Sequence, residues 1–122
     1  MPRSLAVIAI VDDDPSILNA LEMLLASLGH RTELYDSSEA FLPSAARSKA
    51  HCLILDIEIG AICGIELRHQ LAQAGHEFPI IFMSGTGDKR VLDRAKRAGC
   101  IAILHKPFSA SALFDALAKA GS

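Results

Sequence analysis

The chain has 122 residues and 51% of them are apolar, so its length fits one domain with a sizeable buried core. The formal net charge of −2 argues against binding of nucleic acid or an anionic membrane through bulk charge, and any DNA binding would need another domain. No apolar run reaches the about 20 residues that a membrane-spanning helix needs, so we expect no association with a membrane.

The cysteines and the amino-terminal segment favour a cytoplasmic protein. Cys52, Cys63 and Cys100 are odd in number and lack a CxxC spacing, so neither a disulfide framework nor a zinc site is expected. We interpret them as small apolar residues of a protein in the reducing cytosol. The short apolar stretch near the amino terminus is closed by Asp12, Asp13 and Asp14, without a small-residue cleavage site, and is interpreted as a strand and not as a signal peptide.

Five short apolar runs have the length and composition of β-strands. The first, Leu5–Val11, is continuously apolar, as is typical of a strand covered on both faces of a parallel sheet. The predicted strands that follow it are Thr32–Tyr35, Cys52–Leu55, Ile80–Met83 and Ile101–Leu104.

Segments with apolar residues at helical spacing separate these runs. Asp14 has the side chain of an N-cap and Pro15 is favoured at a first helical position, so the first helix begins there. The second helix begins at Asp36 or Ser37, and Pro43 is expected to bend or shorten it. The later helices are predicted over Gly64–Ala74, Asp88–Ala98 and Ser109–Ala120, and the glycines that end three of the helices are Gly29, Gly75 and Gly99.

The alternation of strands and helices predicts one α/β domain over residues 1–122. Its fold class is a doubly wound five-stranded parallel sheet with helices on both faces, (βα)5 in chain order. Ligands of such sheets bind outside the carboxyl ends of the strands, so the polar residues that follow each apolar run form the candidate site.

Four of the predicted strand ends carry groups that can take part in phosphoryl chemistry. Crowded carboxylates with open oxygen positions suit Mg²⁺, and a carboxylate can also act as a nucleophile that forms an acyl phosphate. A lysine and hydroxyl or amide donors would neutralise a phosphoryl group there. The groups are Asp12 to Asp14 after the first strand, Asp56 after the third, Ser84 to Gly87 after the fourth, and Lys106 with Pro107 after the fifth. Each residue alone is ordinarily a cap, a turn or a solvated loop residue, but the combination favours a functional site.

Four segments together resemble the signature blocks of CheY-like receiver domains, the flavodoxin-like phosphoryl-accepting domains of two-component response regulators. The segments are IVDDDP, LILDIEIGAICGIEL, IIFMSGTGD and HKPF, and the resemblance extends from Leu5 to about Ala118. The SGTGD form is similar to receivers of the FixJ-like transcription regulators. The resemblance implies a signalling module, and not a metabolic enzyme, that accepts a phosphoryl group from a sensor histidine kinase or a phosphotransfer protein.

The resemblance assigns the acceptor and the metal ligands residue by residue. Asp56 matches the aspartate that is phosphorylated. Asp13 matches the acid that binds Mg²⁺ directly, and Asp12 matches the acid that usually acts through water. The backbone carbonyl of Glu58 matches the remaining protein ligand, and the Glu58 side chain, with that of Thr86, is expected to tune hydrolysis.

The phosphoryl-binding and switch residues follow from the same resemblance. Ser84 matches the hydroxyl that moves onto the phosphoryl oxygen, with Gly85 beside it, and Lys106 matches the lysine that pairs first with the acceptor and then with the phosphoryl group. The Lys106–Pro107 peptide is expected to be cis. Ile103 corresponds to the switch aromatic of the fifth strand, and because an isoleucine cannot swing as a ring does, we expect the signal to travel by displacement of the loop and helix. A phosphorylation-dependent homodimer or partner is expected to bind the output surface, which comprises Asp88–Ala98, Ile101–His105 and Ser109–Ala120.

Two further positions depart from the family pattern. Gly60 stands where a proline is common, which predicts a more mobile loop, and Cys63 stands where a serine or asparagine would cap the third helix. None of the departures touches the groups assigned to phosphorylation.

Two other functional classes fit the residues less well. An aspartyl phosphatase needs an acid two residues beyond its nucleophile, and Glu58 supplies one, but such enzymes place the nucleophile on the first strand. A flavodoxin-like cofactor carrier is disfavoured because the first turn is poor in glycine and its acids would repel a flavin phosphate.

Overall fold

The protein is described by a computed structural model that covers residues 6–59 and 62–120. Within these residues, five strands alternate with five α-helices, and one 3₁₀ segment (Leu42–Arg47) follows the second helix. The strands are β1 (Val7–Val11), β2 (Arg31–Tyr35), β3 (Cys52–Asp56), β4 (Ile80–Ser84) and β5 (Ala102–His105). The helices are α1 (Pro15–Ser27), α2 (Ser38–Phe41), α3 (Gly64–Gln73), α4 (Lys89–Ala98) and α5 (Ala110–Lys119).

The five strands form one parallel sheet in the order β2-β1-β3-β4-β5. This confirms the predicted doubly wound (βα)5 fold. The strand order reverses between β1 and β3, because β1 has β2 on one side and β3 on the other. Ligands of doubly wound sheets bind at such a reversal, outside the carboxyl ends of the strands.

The core has two apolar layers, one on each face of the sheet. Successive side chains of a strand point to opposite faces, so Leu53 and Leu55 contribute to one layer and Ile54 to the other. The first layer is closed by α2, α3 and α4, and the second is closed by α1 and α5. All five residues of β3 and of β4 are buried. The ends of these two strands are therefore held by packing on both faces of the sheet.

The predicted helix caps are confirmed. Asp14 accepts a hydrogen bond from the Ser16 amide and Pro15 is the first helical residue. Ser37 caps α2, which ends at Phe41 where the chain tightens into the 3₁₀ segment containing Pro43. Cys63 makes no capping hydrogen bond to α3, in agreement with the expectation of a poorer cap.

Several strand boundaries differ from the prediction. The start of the first strand at Leu5 falls outside the described residues, and β2 begins at Arg31 instead of Thr32. At their carboxyl ends, β4 extends to Ser84 and β5 extends to His105, each one residue beyond its apolar run. The backbone ladder continues there, since the Lys106 amide donates to the Ser84 carbonyl over 2.8 Å. The ladder thus includes polar residues that an apolar pattern cannot detect.

The described cysteines are all free. Cys52 is buried and Cys63 and Cys100 are half-buried, which agrees with their interpretation as apolar packing residues. Burial raises the pKa of the Cys52 thiol to about 12, so it stays protonated and unreactive near neutral pH. None of the described helices has the length and apolar character that a bilayer span requires.

Candidate functional site

Three carboxylates meet at the carboxyl edge of the sheet. Asp12 follows β1 and Asp56 is the last residue of β3, and they are 0% and 4% exposed. Asp13 is exposed beside them. One oxygen from each of the three side chains lies within 4.8 Å of the others. The structure therefore brings together the three acids that the sequence predicted to share a site.

The ammonium group of Lys106 joins the two buried carboxylates. Its Nζ donates to Oδ2 of Asp12 over 2.9 Å and to Oδ2 of Asp56 over 3.0 Å. The sequence predicted the contact with Asp56 but not the contact with Asp12. The Lys106–Pro107 peptide is cis, as expected.

The electrostatics of the cluster follow from burial and from this lysine. Burial is the largest influence on Asp56 and raises its pKa. The hydrogen bond from Lys106 lowers this pKa, the negative charge of Asp12 raises it, and the hydrogen bond from the Glu58 amide lowers it. For Lys106, burial acts against the charge, but the hydrogen bonds and charges of Asp12 and Asp56 outweigh it and raise the pKa. The like charge of Asp12 therefore contributes to the raised pKa of Asp56 as a lesser cause than burial.

The start of α3 packs directly against the backbone of Asp56. A Cβ atom at Gly64 would lie 2.5 Å from the Asp56 carbonyl oxygen, which no real side chain tolerates. The Gly64 amide also donates to the Ile57 carbonyl over 3.0 Å. Only glycine permits this close approach, so the third-helix glycine sets the position of the Asp56 backbone.

Glu58 connects Asp56 with the residues that follow β4. Its backbone amide donates to Oδ1 of Asp56 over 3.0 Å. Its side chain reaches across the edge, where Oε2 accepts from the Ser84 hydroxyl over 3.1 Å and Oε1 accepts from the Gly85 amide over 2.9 Å. Sequence reasoning placed Glu58 near the site but missed these two side-chain contacts, because they depend on how two loops fold together.

The β4–α4 loop, residues 85–88, is shaped by local side-chain hydrogen bonds. The Thr86 amide donates to Oγ of Ser84 over 3.1 Å, and the Asp88 amide donates to Oγ1 of Thr86 over 3.0 Å. Asp88 in turn caps α4 by accepting from the Arg90 amide. The Thr86 side chain thus supports the loop, and Ser84 is buried at its root.

The predicted switch position lies away from the acids. Ile103 is a half-buried residue of β5, paired in register with Phe82 of β4. It lines a groove between α4 and β5 together with Leu92, Lys96 and His105. Gly60, where greater loop mobility was expected, falls outside the described residues.

The acidic cluster has the chemistry of a metal site. Asp12 and Asp56 each have one oxygen on Lys106, while the exposed Asp13 carboxylate lies at the solvent side of the cluster. Three carboxylates around one ammonium group leave negative charge to be neutralised, and hard oxygen ligands of this kind suit a divalent cation such as those that receivers hold.

A doubly wound sheet with an acidic cluster at its carboxyl edge and a lysine after the edge strand β5 defines a phosphoryl-accepting signalling domain. The chain belongs to the response regulator receiver domain family, whose sequence model matches residues 8–118. This confirms the resemblance drawn from the four sequence segments. As a receiver domain, it is a signalling module of a two-component system and not a conventional enzyme.

Individual relatives support the FixJ-like subgroup. The response regulator protein TmoT of Ectopseudomonas mendocina is 39% identical over 112 residues, which cover 92% of this chain and 51% of that protein. In structure, FixJ-N matches with a TM-score of 0.88 and 28% identity, over 98% of this chain and 94% of that one. The response regulator StyR matches with a TM-score of 0.87 and 36% identity, over 96% of this chain and 59% of that one. The chain spans about half the length of the curated relatives it matches.

Proposed function

We propose that Asp56 accepts a phosphoryl group from a sensor histidine kinase or a phosphotransfer protein. The observation that carries the proposal is the acceptor geometry: the Glu58 amide holds Oδ1 and the Lys106 ammonium holds Oδ2, beside Asp12 and Asp13. An Asp56 oxygen attacks phosphorus, the new P–O bond replaces the P–N bond of the donor phosphohistidine, and the donor imidazole leaves.

Mg²⁺ is the proposed metal. The proposed ligands are Asp12, Asp13, Asp56 and the backbone carbonyl of Glu58. Of Asp12 and Asp13, we propose that Asp13 binds the metal directly, because it is exposed and makes no ion pair within the described residues. When bound, the metal neutralises charge on the transferred group. Lys106 and the donors of Ser84 and Gly85 are proposed to bind the phosphoryl oxygens.

The output surface is proposed to be α4, β5 and α5. Phosphorylation adds about −1.5 to −2 charge at the strand ends, and Ser84 is proposed to move towards it and draw the β4–α4 loop along. Ile103 is proposed to respond within the groove between α4 and β5. Of the basic side chains of α4, Lys96 lines this groove, and Arg94 and Arg97 lie on the α3 side with Ile65 and His69. Self-association or partner binding through the α4, β5 and α5 surface is the proposed output. The basic residues are Lys89, Arg90, Arg94, Lys96 and Arg97.

Hydrolysis of the acyl phosphate is proposed to be tuned by Glu58 and Thr86. Both lie beside Ser84, through the Glu58 side chain and the Thr86 amide. Glu58→Ala and Thr86→Ala should shift the dephosphorylation rate several-fold without blocking phosphorylation. Residues 1–122 are proposed to act as one receiver domain in the cytoplasm, without binding nucleic acid directly.

The acceptor assignment is tested by chemical phosphorylation. The protein is incubated with acetyl phosphate and Mg²⁺, and its intact mass is measured before and after hydroxylamine treatment. Wild type should gain one hydroxylamine-labile phosphoryl group and Asp56→Asn should gain none while remaining folded. Labelling of Asp56→Asn at the wild-type rate would disprove the assignment.

The output surface is tested by mapping amide chemical shifts with and without beryllofluoride, a phosphoryl mimic. Changes should extend from the Asp56 loop through residues 85–105. Changes confined to the Asp56 loop would rule out the proposed route.

A further inference from the structure

The Glu58 carboxylate makes two hydrogen bonds to groups that the proposed function needs elsewhere. Oε2 accepts from the Ser84 hydroxyl at 3.1 Å, and Oε1 accepts from the Gly85 amide at 2.9 Å. These donors are two of the three groups, with Lys106, that we assign to phosphoryl oxygens. The two oxygens of one carboxylate therefore occupy, in the unphosphorylated chain, the donors that two oxygens of a phosphoryl group would use.

Proton counting makes the two arrangements mutually exclusive. A serine hydroxyl has one proton to donate, and a backbone amide has one. The alternative acceptor for Ser84 is the Thr86 carbonyl at 3.5 Å, which is longer and uncharged, so the hydroxyl proton is committed to Glu58. Ser84 and Gly85 can bind a phosphoryl group only after both have left the Glu58 carboxylate.

We propose that the Glu58 side chain is an internal anionic ligand of Ser84 and Gly85, which the phosphoryl group on Asp56 displaces. This inference rests on the proposed function of Asp56. It makes Glu58 a positioning residue with two parts: its amide stays on Oδ1 of Asp56, while its carboxylate exchanges places with the phosphoryl oxygens.

The surroundings of Glu58 permit this exchange. Glu58 is exposed, so its displaced carboxylate turns into water without loss of core packing. Gly85 is also exposed, and Ser84 keeps the Thr86 amide as a donor to its oxygen. Release of the carboxylate breaks the only described side-chain hydrogen bonds that join Glu58 to Ser84, at the end of β4, and to Gly85, in the β4–α4 loop. The exchange thus frees the loop that leads into α4.

The competition is measurable with beryllofluoride in the presence of Mg²⁺. Wild type, Glu58→Ala, Glu58→Gln and the control Glu66→Ala are titrated, with the Gly85 amide proton followed by NMR. Glu66 is an exposed acid of α3, so its removal changes the net charge equally without touching the loop. Because the competing ligand is absent, Glu58→Ala should bind beryllofluoride about tenfold more tightly than wild type.

The conservative variant separates hydrogen bonding from charge. A glutamine amide has one oxygen that can accept and an NH2 group that cannot, so Glu58→Gln should keep one of the two contacts and bind with intermediate affinity. Before beryllofluoride is added, the Gly85 amide proton should lie upfield in Glu58→Ala and exchange faster with water than in wild type. Glu66→Ala should match wild type in affinity and in the Gly85 resonance.

Two outcomes would overturn the inference. Equal beryllofluoride affinity in wild type and Glu58→Ala would show that no competition exists. Equal gains in Glu58→Ala and Glu58→Gln, with an unmoved Gly85 resonance, would show charge repulsion without a bound carboxylate. A wild type that neither binds beryllofluoride nor labels at Asp56 would instead disprove the proposed function, so the two failures are distinguishable.

Discussion

The acid–lysine cluster and the β4–α4 loop face the same edge of the sheet but are held by different forces. Asp12 and Asp56 are buried at the ends of strands, and Lys106 fixes both carboxylates. The loop consists largely of exposed residues, and its contacts are side-chain hydrogen bonds to backbone amides that water can replace. The proposed reacting group therefore belongs to the rigid part of the molecule, and the proposed response belongs to the more exposed of the two regions.

The largest effect should come from removing the ammonium group of Lys106 from the acid–lysine cluster. Lys106→Met leaves the buried carboxylates of Asp12 and Asp56 without their shared donor, so labelling by acetyl phosphate should fall about 10²-fold. The free energy of unfolding of the metal-free protein should fall by roughly 1–3 kcal/mol, and Mg²⁺ should restore part of it. The exposed Lys119→Met is the matched control, and labelling of Lys106→Met at the control rate would contradict the prediction.

Substitution of one glycine in each region tests whether the acid–lysine cluster is packed more tightly than the β4–α4 loop. Gly64→Ala places a Cβ atom 2.5 Å from the Asp56 carbonyl oxygen, so the acceptor strand or α3 must shift, at a cost of about 1–3 kcal/mol. Gly87→Ala in the loop meets nothing within 4 Å, so its stability should match wild type. Urea denaturation measures both, and equal stability of the two variants would show that the approach of α3 to Asp56 is not tight.

The affinity for Mg²⁺ should depend more on the exposed Asp13 than on the buried Asp12. Asp13→Ala should weaken Mg²⁺ binding by about tenfold, or 1.4 kcal/mol, and more than Asp12→Ala does, because Asp12 already has one oxygen on Lys106. The rise in melting temperature with increasing Mg²⁺ gives the affinity of each variant. A larger loss in Asp12→Ala would reverse the assigned roles.

The smallest effect concerns pH. Because the folded-state pKa of Asp56 is raised above its unfolded value, its ionised form costs stability at neutral pH, and the cost disappears as pH falls through the folded pKa. Metal-free Asp56→Asn, which does not titrate there and leaves Lys106 paired with Asp12, should melt a few degrees higher than wild type at neutral pH. Thermal melts at decreasing pH should show this advantage shrinking, and an advantage that grew would contradict the raised pKa.

Much of the rigid part could be predicted from the sequence. Parallel strands end at one edge, so residues that follow apolar runs must meet there, and this placed Asp12, Asp56 and Lys106 together. The resemblance added Asp13 as a direct metal ligand and Ser84 as the mobile hydroxyl, and their separate roles remain predictions.

The loop contacts could not be predicted because they follow from conformation and not from pattern. The Glu58 side chain meets Ser84 across 26 residues of sequence, and nothing in either segment indicates the pairing. Likewise, the second bond of Lys106, to Asp12, spans 94 residues and depends on where the ammonium group comes to rest. The strand ends at Ser84 and His105 were missed because hydrogen-bonded ladders extend past apolar side chains.

The two hydrogen bonds to the Asp56 carboxylate have a kinetic consequence. Oδ1 of Asp56 accepts from the Glu58 amide and Oδ2 accepts from Lys106, so the Asp56 side chain has lost its torsional freedom during folding. As the proposed acceptor, Asp56 would enter the reaction already oriented, with little activation entropy left to lose on its side. We therefore expect the phosphodonor to dominate the barrier, so that a series of small phosphodonors ranks in rate by the basicity of their leaving groups.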